Sequence, residues 1–177
     1  MLDSRERLVL ELGLYTAMAT PAMMQRGLNA PAYTQALVRL SKLVLHRDLQ
    51  DDPQRLTALT VLALSAGWSA NPAQIERVGQ QLLDLVPSKD LRQALISDQQ
   101  TRLLGYWALG FSQWLQGKPS SALEHLSVAI SLYDQESSRS LGGSLVGDPG
   151  VMARAMLGAV QWQLGYTDQA RACLDQA

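Results

Sequence analysis

The sequence has little cysteine, little histidine and almost no net charge. Its single cysteine, Cys173, cannot form an internal disulfide. Its two histidines, His46 and His125, lie far apart on predicted helices, with no clustered carboxylates at metal-ligand spacing. The formal net charge of -1 gives no general attraction for nucleic acid or for an anionic membrane surface. We therefore expect no metal, no direct nucleic-acid binding and no membrane binding.

Long apolar runs and a leader segment are also missing. The longest apolar runs, such as LTVLALSAGWSA, fall short of the about 20 residues that span a bilayer. No N-terminal stretch combines basic residues, an apolar core and a small-residue cleavage site. These absences predict a cytoplasmic protein, and 177 residues suffice for a single domain with a sizeable core.

Strand patterns are absent as well, because apolar residues recur at helical spacing and never in strict alternation. The segment ATPAMMQRGLNAP is expected to break the first helix, since Pro21, Gly27 and Pro31 oppose a continuous helix. Proline also marks helix starts, where its fixed φ and missing N–H cost nothing. The predicted starts are Pro31, Asp52-Pro53, Asn71-Pro72, Lys118-Pro119 and Asp148-Pro149.

An internal repeat occupies the C-terminal half. Its first copy contains Gly110, Gly117, Ala122, Leu126 and Ala129, and its second contains Gly158, Gly165, Ala170, Leu174 and Ala177 at the same offsets. One glycine lets the paired helix approach, the next makes the turn, and the alanine lies at the helix crossing. The pattern resembles the tetratricopeptide repeat, a helix–turn–helix unit of 34 residues.

The resemblance predicts an all-α solenoid of about four helical hairpins, at residues 4–48, 53–87, 89–134 and 149–177. The hairpin at residues 53–87 departs from the repeat where Ile75 and Gly79 replace its usual residues. The repeat spacing is longer than 34 residues, so long insertions are expected. We place an extra helix in SKDLRQALISDQQ, ahead of Thr101, and an ordered loop in QESSRSLGGSLVGD.

Three further stretches resemble the tetratricopeptide region of large bacterial signalling ATPases, including those joined to cyclases or to winged-helix or LuxR-type regulators. They are Tyr133-Asp134, the segment GDPG that ends at Gly150, and WQLGYTDQAR. The match departs at Gln135, Val146 and Thr167. It implies an accessory module of a signalling or transcriptional regulator. Because no phosphate loop, cyclase or helix-turn-helix segment occurs, and Ala177 lacks a capping segment, we expect a fragment of a larger protein.

No constellation of catalytic residues stands out, and no cofactor is expected. Cys173 is predicted to be a small apolar residue, and Ser120 and Ser121 to lie in the first turn of a helix. The loop LGGSLVGDPG offers backbone N–H groups to a phosphate, but it lacks Lys and Arg, and Asp148 would repel an anion. A helical hydrolase with an unrecognised site is the alternative to a non-catalytic module.

Aromatic residues are scarce but crowded, because Tyr106, Trp107, Phe111 and Trp114 fall within GYWALGFSQWLQG. Repeat register places one stripe on the concave groove and directs Tyr106, Leu109 and Gly110 inward. The groove candidates are Trp68, Leu104, Trp107, Phe111, Trp114 and Trp162. They predict binding of a protein or peptide, a neighbouring domain or a small apolar ligand, with oligomerisation also open. The opposing interpretation is that these side chains form the core of a buried helix.

Overall fold

The computed structural model describes residues 4–50, 52–69, 71–85, 95–133 and 148–177. Within them every regular element is helical and no strand occurs, which confirms the predicted all-α class. The helices are α1 (Ser4–Arg26), α2 (Pro31–Leu43), a short 3-10 helix (Arg47–Leu49), α3 (Gln54–Ser69), α4 (Pro72–Asp84), α5 (Leu95–Leu115), α6 (Pro119–Ser131), α7 (Pro149–Gln163) and α8 (Thr167–Asp175).

The first helix continues through Pro21, where the sequence predicted a break. Pro21 is exposed and followed by good helix formers, so the loss of its N–H bond is tolerated there. The helix ends instead at Arg26, before Gly27, whose φ is 80° and whose N–H donates to the carbonyl of Met23.

The second helix is shorter than predicted. It buries the stripe Tyr33, Ala36, Leu40 and Leu43 and ends at Leu43. His46 therefore lies beyond the helix, where its ring accepts a hydrogen bond from the N–H of Asp48 and caps the 3-10 helix.

The predicted helix starts are confirmed, with a shift of one residue in one case. Proline occupies the first position of α2, α4, α6 and α7. Asn71 and Asp148 accept hydrogen bonds from first-turn N–H groups, as capping residues do. At the third helix, Asp52 caps Gln54 N–H and the helix begins at Gln54, one residue after Pro53.

The chain divides into two compact units, residues 1–68 and 69–177. In the first unit α1 packs on α2, and Arg39 donates a hydrogen bond of 2.7 Å to Glu11 across that pair. The boundary falls at the end of α3. The pairing of α3 with α4 as a hairpin, and a single domain over the whole chain, therefore remain predictions.

In the second unit each helix packs on the next along the chain, from α4 to α8, and α5 also meets α7. The hairpin of α5 and α6 matches the hairpin of α7 and α8 closely. A Cβ on Gly110 would come 2.7 Å from Leu126 Cγ, and one on Gly158 would come 2.8 Å from Leu174 Cγ. The turn glycines also agree, with φ of 73° at Gly117 and 87° at Gly165. The predicted internal repeat is thus a repeat of structure.

The helix expected ahead of Thr101 is confirmed for residues 95–100, which form the start of α5. The preceding residues 86–94 lie outside the described residues. So do residues 134–147, which include all but the last residue of the ordered loop expected in QESSRSLGGSLVGD.

Candidate functional site: the aromatic face of α5 and α7

One face of α5 belongs to the core of its hairpin, as the repeat register predicted. Gly110 meets Leu126 of α6, and the ring of Tyr106 lies 6.0 Å from the ring of His125. The end of α5 is tied to the start of α4, because Ser112 Oγ donates to the carbonyl of Pro72 and Gln116 donates to Glu76. This anchoring fixes the rotation of α5 and hence the direction of its other face.

The other face carries the aromatic stripe. The ring centroids of Trp107 and Phe111 are 5.7 Å apart, and those of Phe111 and Trp114 are 6.0 Å apart. Phe111 and Trp114 are half-buried. A partly exposed aromatic pair on a fixed helix can contact a partner with little loss of side-chain freedom.

Two of the groove candidates are not exposed. Leu104 and Trp107 are buried, with 3% and 5% of their surfaces accessible. Repeat register predicted the face of α5 on which Leu104 and Trp107 lie. It could not predict their burial, because α5 is apolar nearly all round and its packed neighbours decide which residues are covered. Trp107 supports the stripe through its contact with Phe111, and its Nε1 has no hydrogen-bond partner among the described residues. The accessible face is therefore smaller than predicted.

A hydrogen bond connects the stripe to the next repeat. Trp114 Nε1–H donates to Gln163 Oε1 of α7 at 2.9 Å. The neighbouring Trp162 occupies in α7 the position that Trp114 occupies in α5, and 65% of its surface is exposed. Trp68 lies near the end of α3 in the other unit, and its side chain is outside the described part of the chain. The structure thus associates Phe111, Trp114 and α7, while the placement of Trp68 stays a prediction.

A second cluster, which sequence reasoning missed, joins α6 to the start of α7. Tyr133 donates from its hydroxyl to Asp148 Oδ2 at 3.0 Å, and the guanidinium of Arg154 lies 4.6 Å from the centre of the tyrosine ring. Asp148 Oδ1 accepts from Gly150 N–H at 2.7 Å. Burial, followed by the hydrogen bond to Asp148, raises the pKa of Tyr133. The Tyr133-Asp134 and GDPG stretches of the sequence were the signal for this cluster.

The same cluster weakens the phosphate hypothesis. The first N–H groups of α7 are held by the Asp148 carboxylate, and the Tyr133 ring covers Gly150. A phosphate at this helix start would have to displace both side chains.

Cys173 and His125, whose side chains could be reactive, make hydrogen-bonding contacts within the fold. Cys173 donates from Sγ to the carbonyl of Arg154 at 3.4 Å, and burial raises the pKa of its thiol, which favours the unreactive protonated form. Nδ1 of His125 lies 3.0 Å from the carbonyl oxygen of Ser121. In the described residues no three His, Cys, Asp or Glu side chains group as a metal site would require.

One open hollow of about 420 Å³ lies on the first unit. It is lined by Tyr15, Thr34, Gln35, Val38, Arg39 and Lys42. Arg39, one of the cations that line this hollow, is already paired with Glu11 and so is not free to bind an anion. Of the helices that the structure describes, none is long and apolar enough to cross a membrane.

An all-helical unit in which one hairpin copies the previous one is a helical-repeat scaffold. Residues 151–176, which cover most of α7 and α8, match the tetratricopeptide repeat. No curated protein and no solved structure matches the chain. Tetratricopeptide repeats generally mediate contacts between proteins and are typically not enzymes.

Proposed function

We propose that this chain is a non-catalytic interaction module that binds an apolar segment of another protein across the aromatic face of α5 and α7. The observation that carries the proposal is the half-buried pair Phe111 and Trp114, which a hydrogen bond links to Gln163 of α7, the sequence neighbour of exposed Trp162. Aromatic side chains, tryptophan above all, are enriched among the few residues that supply most of the binding energy of a protein interface.

The aromatic face is arranged before a partner binds. Trp114 uses its N–H within the fold, so its ring is held in place before binding. A partner would then pay mainly its own ordering cost, because the receptor side is already arranged. Trp107 lies below Phe111 as a buried support.

The biological setting follows from the sequence resemblance. The stretches WQLGYTDQAR and GDPG support a place in a bacterial, cytoplasmic signalling or transcriptional regulator. In that setting the bound segment belongs to a partner protein or to a neighbouring domain. A reading frame that also encodes a phosphate-loop ATPase would support this setting, and one encoding an unrelated secreted protein would contradict it.

A displayed library of random peptides tests the binding face. Selection on the wild-type chain should enrich peptides rich in aromatic and aliphatic residues, and Trp114→Ala and Phe111→Ala should weaken their binding by about tenfold or more. Val128→Ala is the matched control, because Val128 is an exposed apolar residue of α6 outside this face. Failure to select any peptide, or equal binding to all the variants, would overturn the proposal.

A further inference from the structure

Helix α7 is attached to the hairpin of α5 and α6 by side chains at both of its ends. At its start, Asp148 Oδ2 accepts a hydrogen bond from the hydroxyl of Tyr133, and the Tyr133 ring covers Gly150. We call these contacts of Tyr133 with Asp148 and Gly150 the latch. At the end of α7, Gln163 accepts the hydrogen bond of the Trp114 indole.

The latch and Trp114 lie at opposite ends of the hairpin. Gln99, near the start of α5, donates to the carbonyl of Leu132 at the end of α6 at 2.9 Å, which places Tyr133 beside the start of α5. Trp114 lies in the last turn of the same helix. The helical rise makes the segment of α5 from Gln99 to Trp114 about 22 Å long, so the latch does not touch Trp114.

The body of α7 connects the two attachments. It packs on both α5 and α6, with Ala153 and Val160 fully buried. The latch restricts how α7 can slide or rotate on these neighbours, because the Tyr133 ring is enclosed by Gly150 on α7 and by the guanidinium of Arg154, 4.6 Å from its centre.

The attachment at the other end is sensitive to such movements. A movement of the Gln163 amide by about 1 Å away from Trp114 would lengthen their 2.9 Å bond beyond hydrogen-bonding distance. The bond therefore depends on the seat of the whole helix, and the orientation of the Trp114 ring depends on the bond.

We propose that Tyr133 and Asp148 are positioning residues of the aromatic face: they hold α7 where Gln163 fixes the Trp114 ring. The inference rests on the proposed function, because it concerns how that same face is arranged for an apolar segment of a partner. Without the latch, Trp114 loses its fixed orientation, and its ordering cost then falls on the binding step and weakens it. Neither positioning residue needs to touch the partner.

The indole N–H signal of Trp114 tests the positioning without any partner. In NMR spectra of the full chain, Trp114→Phe assigns this signal, and Gln163→Met gives its position without the hydrogen bond. Tyr133→Phe keeps the ring and removes the hydroxyl, so it should move the Trp114 signal towards the Gln163→Met position. Ser127→Gly is the control, because it weakens α6 at an exposed residue outside the latch. An unmoved signal in Tyr133→Phe, or an equal movement in the control, overturns the proposal.

Binding of a peptide selected on the wild-type chain tests the consequence. Tyr133→Phe should weaken this binding by about threefold or more, and Ser127→Gly should leave it unchanged. Asp148→Asn keeps a side-chain oxygen for the first N–H groups of α7 and a polar partner for Tyr133, so it should bind nearly as the wild type does. Asp148→Ala should bind at least as weakly as Tyr133→Phe. Unchanged or stronger binding by Tyr133→Phe would contradict the proposal.

A double-mutant cycle tests whether the latch acts through α7. Once Gln163→Met has removed the bond to Trp114, adding Tyr133→Phe should weaken peptide binding no further. Losses that add up in the double variant would mean that the latch acts by another route, and the proposal is then wrong. If the wild-type chain selects no peptide, the aromatic-face proposal fails, and the Trp114 signal still decides whether the latch positions that ring.

Discussion

Small residues determine how closely the helices of the second unit approach. Gly79 and Gly105 face each other across α4 and α5, and a Cβ on either would come 3.1 Å from the carbonyl oxygen of the other. The sequence predicted the contacts of Gly110 and Gly158 because their offsets repeat. It did not predict the Gly79 contact, since Gly79 stands where the repeat has a large residue, and only the packed pair reveals that α5 occupies the missing volume.

The two crossing alanines give a stability prediction. Ala122 and Ala170 are fully buried beside the glycine contacts, so replacing either with Leu should lower the free energy of unfolding by roughly 1–3 kcal/mol through overpacking. Urea denaturation followed by circular dichroism measures the change. Ala159→Leu is the control, because Ala159 is exposed on α7. Equal stability of the buried and exposed variants would contradict the repeat register.

Tyr133 gives a prediction in pH. Its folded pKa is raised above the ordinary value of 10.0, chiefly by burial. Its contribution to stability is therefore fully present below about pH 10 and is lost as pH rises through the folded pKa. The free energy of unfolding should fall more steeply above pH 10 for the wild type than for Tyr133→Phe. Tyr166→Phe, at an exposed residue outside the cluster, should follow the wild type.

At the scale of the element, the starts of helices were more predictable than their ends. A helix start depends on local residues, such as Asp or Asn before proline, as at Asn71 and Asp148. A helix end depends also on the hydrogen bonds that residues beyond the helix can offer in the folded chain. Pro21 did not stop α1, and the second helix stopped before His46, where Arg55 donates to the carbonyl of Val44 at 2.9 Å. That partner belongs to the next α-helix, and the apolar periodicity of the second helix gives no sign of it.

Capping gives a prediction for single helices. Asn71→Ala and Asp148→Ala should each lower the free energy of unfolding by about 1 kcal/mol, because each removes an acceptor for first-turn N–H groups. The loss at Asp148 should be the larger, since Tyr133 also loses its acceptor. Lys118→Ala is the comparison, because Lys118 holds the same position before α6 without a side-chain cap. Hydrogen exchange of the first turns would show whether fraying is local.

For the molecule as a whole, the tryptophans occupy different surroundings. Trp107 is buried, Trp114 is half-buried and hydrogen-bonded, and Trp162 is exposed. Sequence register placed Trp107, Phe111 and Trp114 in one stripe, which was expected to line a groove. Which tryptophan is accessible depends on the neighbouring helix, because α7 covers one position and leaves the same position in its own repeat open.

These surroundings predict the fluorescence of the whole chain. Trp162→Phe should shift the emission to shorter wavelength and reduce quenching by acrylamide, because it removes the most exposed of these three indoles. Trp107→Phe should have the opposite effect on both quantities. A uniform response to the two substitutions would contradict the assigned exposures.

The contact between Tyr133 and Gly150 also has a magnetic consequence. Three carbons of the tyrosine ring, Cδ2, Cε2 and Cζ, meet the point where a Cβ of Gly150 would lie, and an α-proton points there instead. That proton sits over the face of the ring, so the ring current should move its NMR resonance strongly upfield. A single resonance would then report whether α7 is seated against the end of α6, in the unmodified protein and in the presence of any binding partner.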